Sequence, residues 1–216
     1  MLDALIPATL TVLVGACGAK HPNTTAASSE TRTDTALAQR KLAEQLTTLH
    51  RALPGSWRQN GSANDALVCA DNAIRAGRTG RAISQSIKYK RVEVRAGTYV
   101  FATSQSASRA LPAFAAEAAQ ACRAEFLVAA LRKHGYTTGS PKVHIATLSD
   151  IGQGANSTQI TIPSRYKGRL LTWNIDETIV REGRLIELLD TLAGASTARY
   201  NQALAAEIAK ITSAQQ

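Results

Sequence analysis

The sequence predicts an α+β domain, in which an antiparallel β-sheet is packed by a long central helix and by N- and C-terminal helices. Apolar residues recur at three- and four-residue steps from Leu111 to His134, the spacing of one buried helix face. Short stretches of alternating polar and apolar residues lie on both sides of that helix and are separated by Gly, Asn, Ser and Pro. This order favours helices on one face of an antiparallel sheet over a βαβ nucleotide-binding fold.

The N-terminal residues predict an export signal. The run from Ala4 to Ala16 is apolar or small apart from two threonines, and it is shorter than the roughly 20 residues that span a bilayer. It ends in Val14-Gly15-Ala16-Cys17, which resembles the lipobox of bacterial lipoproteins. The resemblance implies a signal peptide over residues 1–16 and a lipid anchor on Cys17, at the extracytoplasmic face of the cell membrane. The alternative is a buried N-terminal helix with an incidental cysteine.

Residues 17–33 are predicted to tether the folded domain, residues 34–216, to that anchor. The stretch from Lys20 to Thr33 is small and polar and lacks periodicity. About fourteen flexible residues have an r.m.s. reach of roughly 20 Å, enough to hold a domain just clear of a membrane.

The first part of the domain is predicted to form a helix followed by a hairpin. Leucines form one stripe from Asp34 to Ala52, and Pro54-Gly55 ends the helix before Trp57, which we expect in the core. Polar and apolar residues then alternate over Ala82–Lys90 and Val92–Phe101, which predicts two antiparallel strands with one solvent-exposed face.

The central helix carries Pro112 in its first turn and ends in a basic turn before Gly135. Cys122 lies on the apolar stripe and is therefore predicted to face the core, whereas the opposite side carries Glu117, Gln120, Arg123 and Glu125. The elements that follow are strands at Lys142–Leu148, Thr158–Ile162, Leu170–Ile179 and Arg184–Leu189, with a turn at Glu182-Gly183, and a helix at Thr197–Thr212.

Several short motifs together resemble a known family. They are Leu53-Pro54-Gly55-Ser56-Trp57, Cys69, the strand end Tyr99-Val100-Phe101, the Ala-rich helix with Cys122, and Val180-Arg181-Glu182-Gly183-Arg184. Over residues 35–214 the chain resembles actinobacterial, mycobacterial-type lipoproteins whose domain is similar to the extracellular sensor domain of a receptor serine/threonine kinase. The resemblance implies an α+β domain with a cleft, a cysteine pair joining the loop after the tryptophan to the long helix, and no established ligand. The chain has no glycine-rich loop or catalytic loop of a kinase.

Two cysteines remain once Cys17 is acylated, and two cysteines in an oxidising compartment usually pair. A Cys69–Cys122 bridge closes a loop of about 50 residues, which the chain-entropy model values at roughly 4 kcal/mol. Two separate buried thiols are the alternative.

Motifs of catalysis and metal binding are absent from the sequence. The four histidines are scattered, and neither HExxH nor GxSxG occurs, so we expect no metal site, no cofactor and no enzymatic activity. Asp176 and Glu177 lie beside Trp173, but neighbouring strand residues point to opposite faces, so they are not expected to form a catalytic pair.

The net charge of +9 predicts attraction to anionic surfaces, and the densest basic cluster is Lys88, Lys90, Arg91 and Arg95. This cluster is either a solvated sheet face or a site for anionic lipid or cell-wall polymer. Nucleic acid is not expected as a partner because the protein is predicted to be exported.

The sequence therefore predicts a cell-envelope lipoprotein with a non-catalytic, sensor-like domain that binds an unknown envelope protein or small ligand. The alternative is an envelope hydrolase or a lipid carrier whose site is not visible in the sequence.

Overall fold

The computed structural model describes residues 31–52, 58–59, 74, 77–84, 87–89, 92–193 and 206. Its elements are α1 (Arg32–Ala52), β1 (Arg58–Gln59), β2 (Arg78–Ile83), β3 (Ile87–Tyr89), β4 (Val92–Phe101), α2 (Ser104–Ala115), α3 (Glu117–Lys133), β5 (Thr137–Thr138), β6 (Lys142–Leu148), β7 (Ala155–Tyr166), β8 (Arg169–Glu182) and β9 (Leu185–Ala193). Trp57, Cys69 and the first thirty residues lie outside this part of the chain, as does the predicted C-terminal helix apart from Ala206, which is helical.

The strands form one antiparallel sheet in the order β1-β3-β4-β9-β8-β7-β5. Two further strands pair with members of this order: β2 pairs with β4, and β6 pairs with β7. The long strands β7, β8 and β9 follow one another through hairpins: residues 169–180 of β8 pair with β7, and residues 174–182 pair with β9. The predicted α+β class and the antiparallel sheet are confirmed.

Helices cover both faces of this sheet, so the prediction of helices on one face is wrong. Leu42 and Leu49 of α1 pack against Val94 and Ala96 of β4, whereas Phe114 of α2 packs in the cluster that contains Tyr99 and Phe101. Even and odd positions of a strand point to opposite faces, so α1 and α2 lie on opposite sides. The polar–apolar alternation at the start of β4 gives way to a run from Ala96 to Phe101 that is buried throughout, which is typical of a strand covered on both faces.

The predicted central helix is two helices that break at Ala116. Thr103 caps α2, its Oγ1 accepting a hydrogen bond of 3.0 Å from the Ser106 backbone N–H. Pro112 therefore lies inside α2 and not in a first turn, and α2 ends at Ala115, followed by Ala116 with an extended ψ of 134°. The sequence prediction of one uninterrupted helix was wrong because Pro112 was assigned to a helix start.

The break changes which residues of α3 meet the sheet. Its buried side chains are Gln120, Arg123, Ala124, Val128 and Leu131, which again follow the three- and four-residue spacing. Cys122 is exposed and lies on the outward side of α3, and Phe126 is 46% exposed. The prediction that Cys122 faces the core is therefore wrong.

Candidate functional site

A buried cluster of charged side chains lies between α3 and the middle of the sheet. Glu177 of β8 and Asp190 of β9 are register partners, so their side chains lie next to each other on the face beneath α3. The guanidinium of Arg123 donates one hydrogen bond to Glu177 Oε2 through Nη1, and its Nη2 lies 3.0 Å from Asp190 Oδ2. Only 7% of Arg123, 1% of Glu177 and 6% of Asp190 is exposed. One cation thus joins α3 to two adjacent strands.

Gln120 extends this cluster to the break between α2 and α3. Its Nε2 donates to the Phe114 carbonyl at 2.5 Å and to Glu177 Oε1 at 3.4 Å. The Phe114 carbonyl belongs to the last turn of α2, where the helix itself no longer provides donors. Gln120 Oε1 and Asp190 Oδ1 are buried and have no hydrogen-bond partner among the described residues.

The predicted basic cluster lies on the same face, farther along the sheet. Arg95 of β4 is the register partner of Asp190, and its Nη2 donates to Glu93 Oε1 at 2.9 Å. Lys88 of β3 is the register partner of Glu93. These two cations therefore face carboxylates within the sheet, while Lys90 and Arg91 lie outside the described residues.

The two neighbouring carboxylates of β8 point to opposite faces, as predicted. Glu177 meets α3, whereas Asp176 accepts a hydrogen bond of 2.8 Å from Gln159 Nε2 on the other face. They do not form a pair.

Sequence reasoning missed Arg123 and Asp190 as members of a site. The continuous-helix prediction placed Arg123 on the solvent side, and Asp190 received no role. A signal was present in β9, where Leu188, Leu189 and Leu192 flank Asp190, and a carboxylate that is buried in such a strand requires a cationic partner.

A second ionic contact fixes the start of α1. Arg184, in the turn between β8 and β9, donates through Nη2 to Asp34 Oδ1 at 2.8 Å and through Nη1 to the Phe101 carbonyl at 3.2 Å. The hydrogen bond from Arg184, and after it one from Thr79, lowers the pKa of Asp34 below its usual value. Gly80 allows α1 to approach, because a Cβ at that position would lie 2.4 Å from the Asp34 backbone.

An aromatic cluster lies at the opposite end of β8. The Tyr136 ring is 4.7 Å from the Tyr166 ring and meets Trp173 edge-on at 5.7 Å, measured between centroids. Burial, together with the neighbouring Tyr166, raises the pKa of Tyr136. Lys167 Nζ lies 5.4 Å from the Tyr166 centroid, within reach of a cation–π contact.

Two kinds of feature are absent from the described residues. No group of three or more His, Cys, Asp or Glu side chains is arranged to hold a metal ion in that part of the chain. Among the described helices, none combines the length and apolar character needed to cross a membrane.

Comparison with known proteins gives a structural resemblance and no sequence match. No protein-family model matches the chain, and no curated protein matches it in sequence. The chain is similar to the crystal structure of the extracellular domain of PknH from Mycobacterium tuberculosis, with 11% identity and a TM-score of 0.40 over 82% of this chain and 94% of that one. This is a weak resemblance to an extracellular domain.

Proposed function

We propose that the chain is a lipid-anchored protein of the cell envelope whose sensor-like domain binds a ligand or partner without catalysing a reaction. The observation that carries the non-catalytic part is the burial of Arg123, Glu177 and Asp190 beneath α3. Glu177 is almost fully buried and accepts hydrogen bonds from Arg123 and Gln120. A general acid, base or nucleophile must instead reach its substrate.

The cluster has a structural task that explains its residues. A buried ion pair contributes little net stability, but breaking it is costly, so it favours one arrangement of the elements that carry it. Here that arrangement fixes the broken α2–α3 pair on β8 and β9. A rigid scaffold of this kind suits a domain that recognises partners through its surface.

The envelope location is supported by the lipobox-like sequence that ends in Cys17. Two or more acyl chains hold a protein firmly on a membrane, since each buried CH₂ contributes about 0.8 kcal/mol. The tether that follows would keep the domain near the membrane surface.

We also propose the Cys69–Cys122 bridge. Because Cys122 lies on the outward side of α3, the bridge would connect to that helix from its solvent side. Peptide mapping without reductant should recover the two residues in one linked peptide. Recovery of both as alkylated thiols would reject the bridge.

The non-catalytic proposal is tested with the full chain on panels of ester, peptide and glycan substrates, beside Glu177→Gln and Asp190→Asn. We expect no turnover above background from any of the three proteins. Turnover by the wild-type chain that is lost in either variant, while the variant remains folded by circular dichroism, would contradict the proposal and favour the envelope-hydrolase alternative.

A further inference from the structure

The end of the molecule that carries the aromatic cluster combines exposed cations with exposed leucines. We call it the basic tip and define it as Arg132, Lys133, Arg165, Lys167, Arg169, Leu170 and Leu171. Strands β7 and β8 meet there through the two-residue turn Lys167-Gly168, whose φ values of +47° and +79° are those of a tight hairpin.

The end of α3 lies beside this hairpin. Tyr136 follows the helix and packs on Tyr166, and Thr137 is the register partner of Arg165. Arg132 Nε donates to Thr138 Oγ1 at 3.0 Å, and Thr138 pairs with Ser164. The cations from α3 and from the hairpin therefore occupy one end of the domain.

The five cations of the basic tip have no acidic counterpart nearby in the chain. No Asp or Glu occurs between Glu125 and Asp150, or between Asp150 and Asp176. All five side chains are exposed. Within the described residues none of them forms an ion pair, in contrast to Arg95 and Arg123. The positive charge of the tip is thus available to an external anionic surface.

Leu170 and Leu171 indicate which kind of anionic surface the tip would bind. Leu170 is 76% exposed and Leu171 is 41% exposed, and as neighbours on a strand they point to opposite faces of the hairpin. An anionic polymer would satisfy the cations but would leave both leucines in water. A bilayer accepts both, because lysines and arginines bind its phosphates while apolar side chains enter the boundary between headgroups and acyl chains. Tyr166 and Trp173 lie on the two strands of the hairpin that carries the leucines, and tyrosine and tryptophan favour that boundary too.

We propose that the basic tip inserts into an anionic lipid bilayer, with Leu170 and Leu171 below the phosphates and the five cations among them. This contact needs no lipid on Cys17. It adds to the proposed function and can fail independently of it.

If the proposed anchor is also present, the two attachments determine how the domain lies. The start of α1 is bound to the turn between β8 and β9, at the opposite end of β8 from the tip. The fourteen residues of β8 span at most roughly 45 Å. The tether has an r.m.s. reach of roughly 20 Å, which is shorter than β8, so simultaneous attachment at both ends favours a tilt of the long axis of β8 toward the membrane.

Hydrogen–deuterium exchange of the full chain on vesicles tests the insertion. The apolar leader would attach the whole chain to vesicles of any charge, so binding to vesicles does not report on the tip. The measured quantity is therefore the protection of backbone amides in the hairpin, residues 164–173. We expect protection on vesicles of phosphatidylglycerol and phosphatidylcholine in equal parts, and none on phosphatidylcholine alone. Salt should weaken it, since exposed charges are screened over about 8–10 Å.

Paired variants locate the contact. Each cation at an anionic surface contributes roughly fivefold, so Lys167→Gln/Arg169→Gln should lower the ratio of protected to unprotected hairpin about 30-fold. The charge-matched control Arg40→Gln/Arg109→Gln changes exposed cations of α1 and α2 and should leave that ratio unchanged.

The apolar part has its own pair of variants. Leu170→Ser should reduce protection, whereas Phe126→Ser, which removes an exposed apolar side chain from α3, should not. Protection that is absent, equal on both lipids or equal in tip and control variants overturns the proposal. So does protection by soluble cell-wall polymer with none on vesicles.

Discussion

Arg123→Met removes the only cation that the described residues place between Glu177 and Asp190. The methionine occupies a similar volume, so the variant leaves two buried carboxylates side by side and creates little cavity. Removing one partner of a buried pair typically costs about 3–5 kcal/mol, and here two carboxylates lose the same partner. We therefore expect the free energy of unfolding at pH 7 to fall by at least about 3 kcal/mol.

Urea denaturation followed by circular dichroism measures this loss, with the slope of the transition checking that both proteins unfold in the same way. The matched control is Arg109→Met, at an exposed position of α2, which should change stability by no more than about 0.5 kcal/mol. The triple variant Arg123→Met/Glu177→Leu/Asp190→Leu replaces the whole ionic cluster by apolar groups. It should regain most of the loss, since such replacements are often neutral or stabilising.

Two results would refute the reasoning. A cost of less than about 1 kcal/mol for Arg123→Met would mean that the carboxylates find water or another partner. A triple variant less stable than Arg123→Met would mean that the carboxylates contribute apart from their pairing with Arg123.

Two further predictions concern the contact between α1 and the sheet. Gly80→Ala should lower the free energy of unfolding by about 1–3 kcal/mol, because its Cβ would lie 2.4 Å from the Asp34 backbone. The control Gly139→Ala should cost less, since the nearest atom to its Cβ is 3.5 Å away. Equal losses in urea denaturation would argue against close packing at Gly80. Asp34 has a lowered pKa in the folded chain, so it binds fewer protons there than in the unfolded chain. The ionised Asp34 therefore stabilises the fold fully above its unfolded pKa of about 4. This stabilisation is lost as the pH falls through the pKa that Asp34 has in the folded chain. The stability difference between wild type and Asp34→Asn should therefore shrink from pH 7 to pH 3, and a constant difference would exclude ionisation of Asp34 as its source.

Helices and strands were predicted correctly where no residue interrupts their sequence pattern, and incorrectly where a proline does. Leucines at 42, 46 and 49 predicted α1 correctly because no residue interrupts their periodicity, and Leu49 is fully buried. Lys142–Leu148 was predicted with the bounds that the structure has. The central helix failed at Pro112, because a proline can stand in a first turn or near the end of a helix, and only tertiary packing decides between them.

The candidate sites were less accessible to sequence reasoning than the elements. Arg123 and Asp190 are far apart in the chain, and their contact depends on the helix phase after Ala116 and on the register of β9 with β8. Leu170 and Leu171 resemble core residues of a strand in the sequence. Their exposure follows from their place at the end of the β7–β8 hairpin.

Membrane attachment through Cys17 is the part of the account that one measurement tests most directly. Cell fractionation of the wild-type chain and of Cys17→Ala, each washed in high salt to release charge-dependent contacts, separates acylation from the basic tip. We expect the wild-type protein in the membrane fraction and Cys17→Ala, once residues 1–16 have been removed, in the soluble fraction with an unchanged melting temperature. Retention of Cys17→Ala in the salt-washed membrane, when mass spectrometry of its N-terminal peptide shows that residues 1–16 are absent, would contradict the lipid anchor.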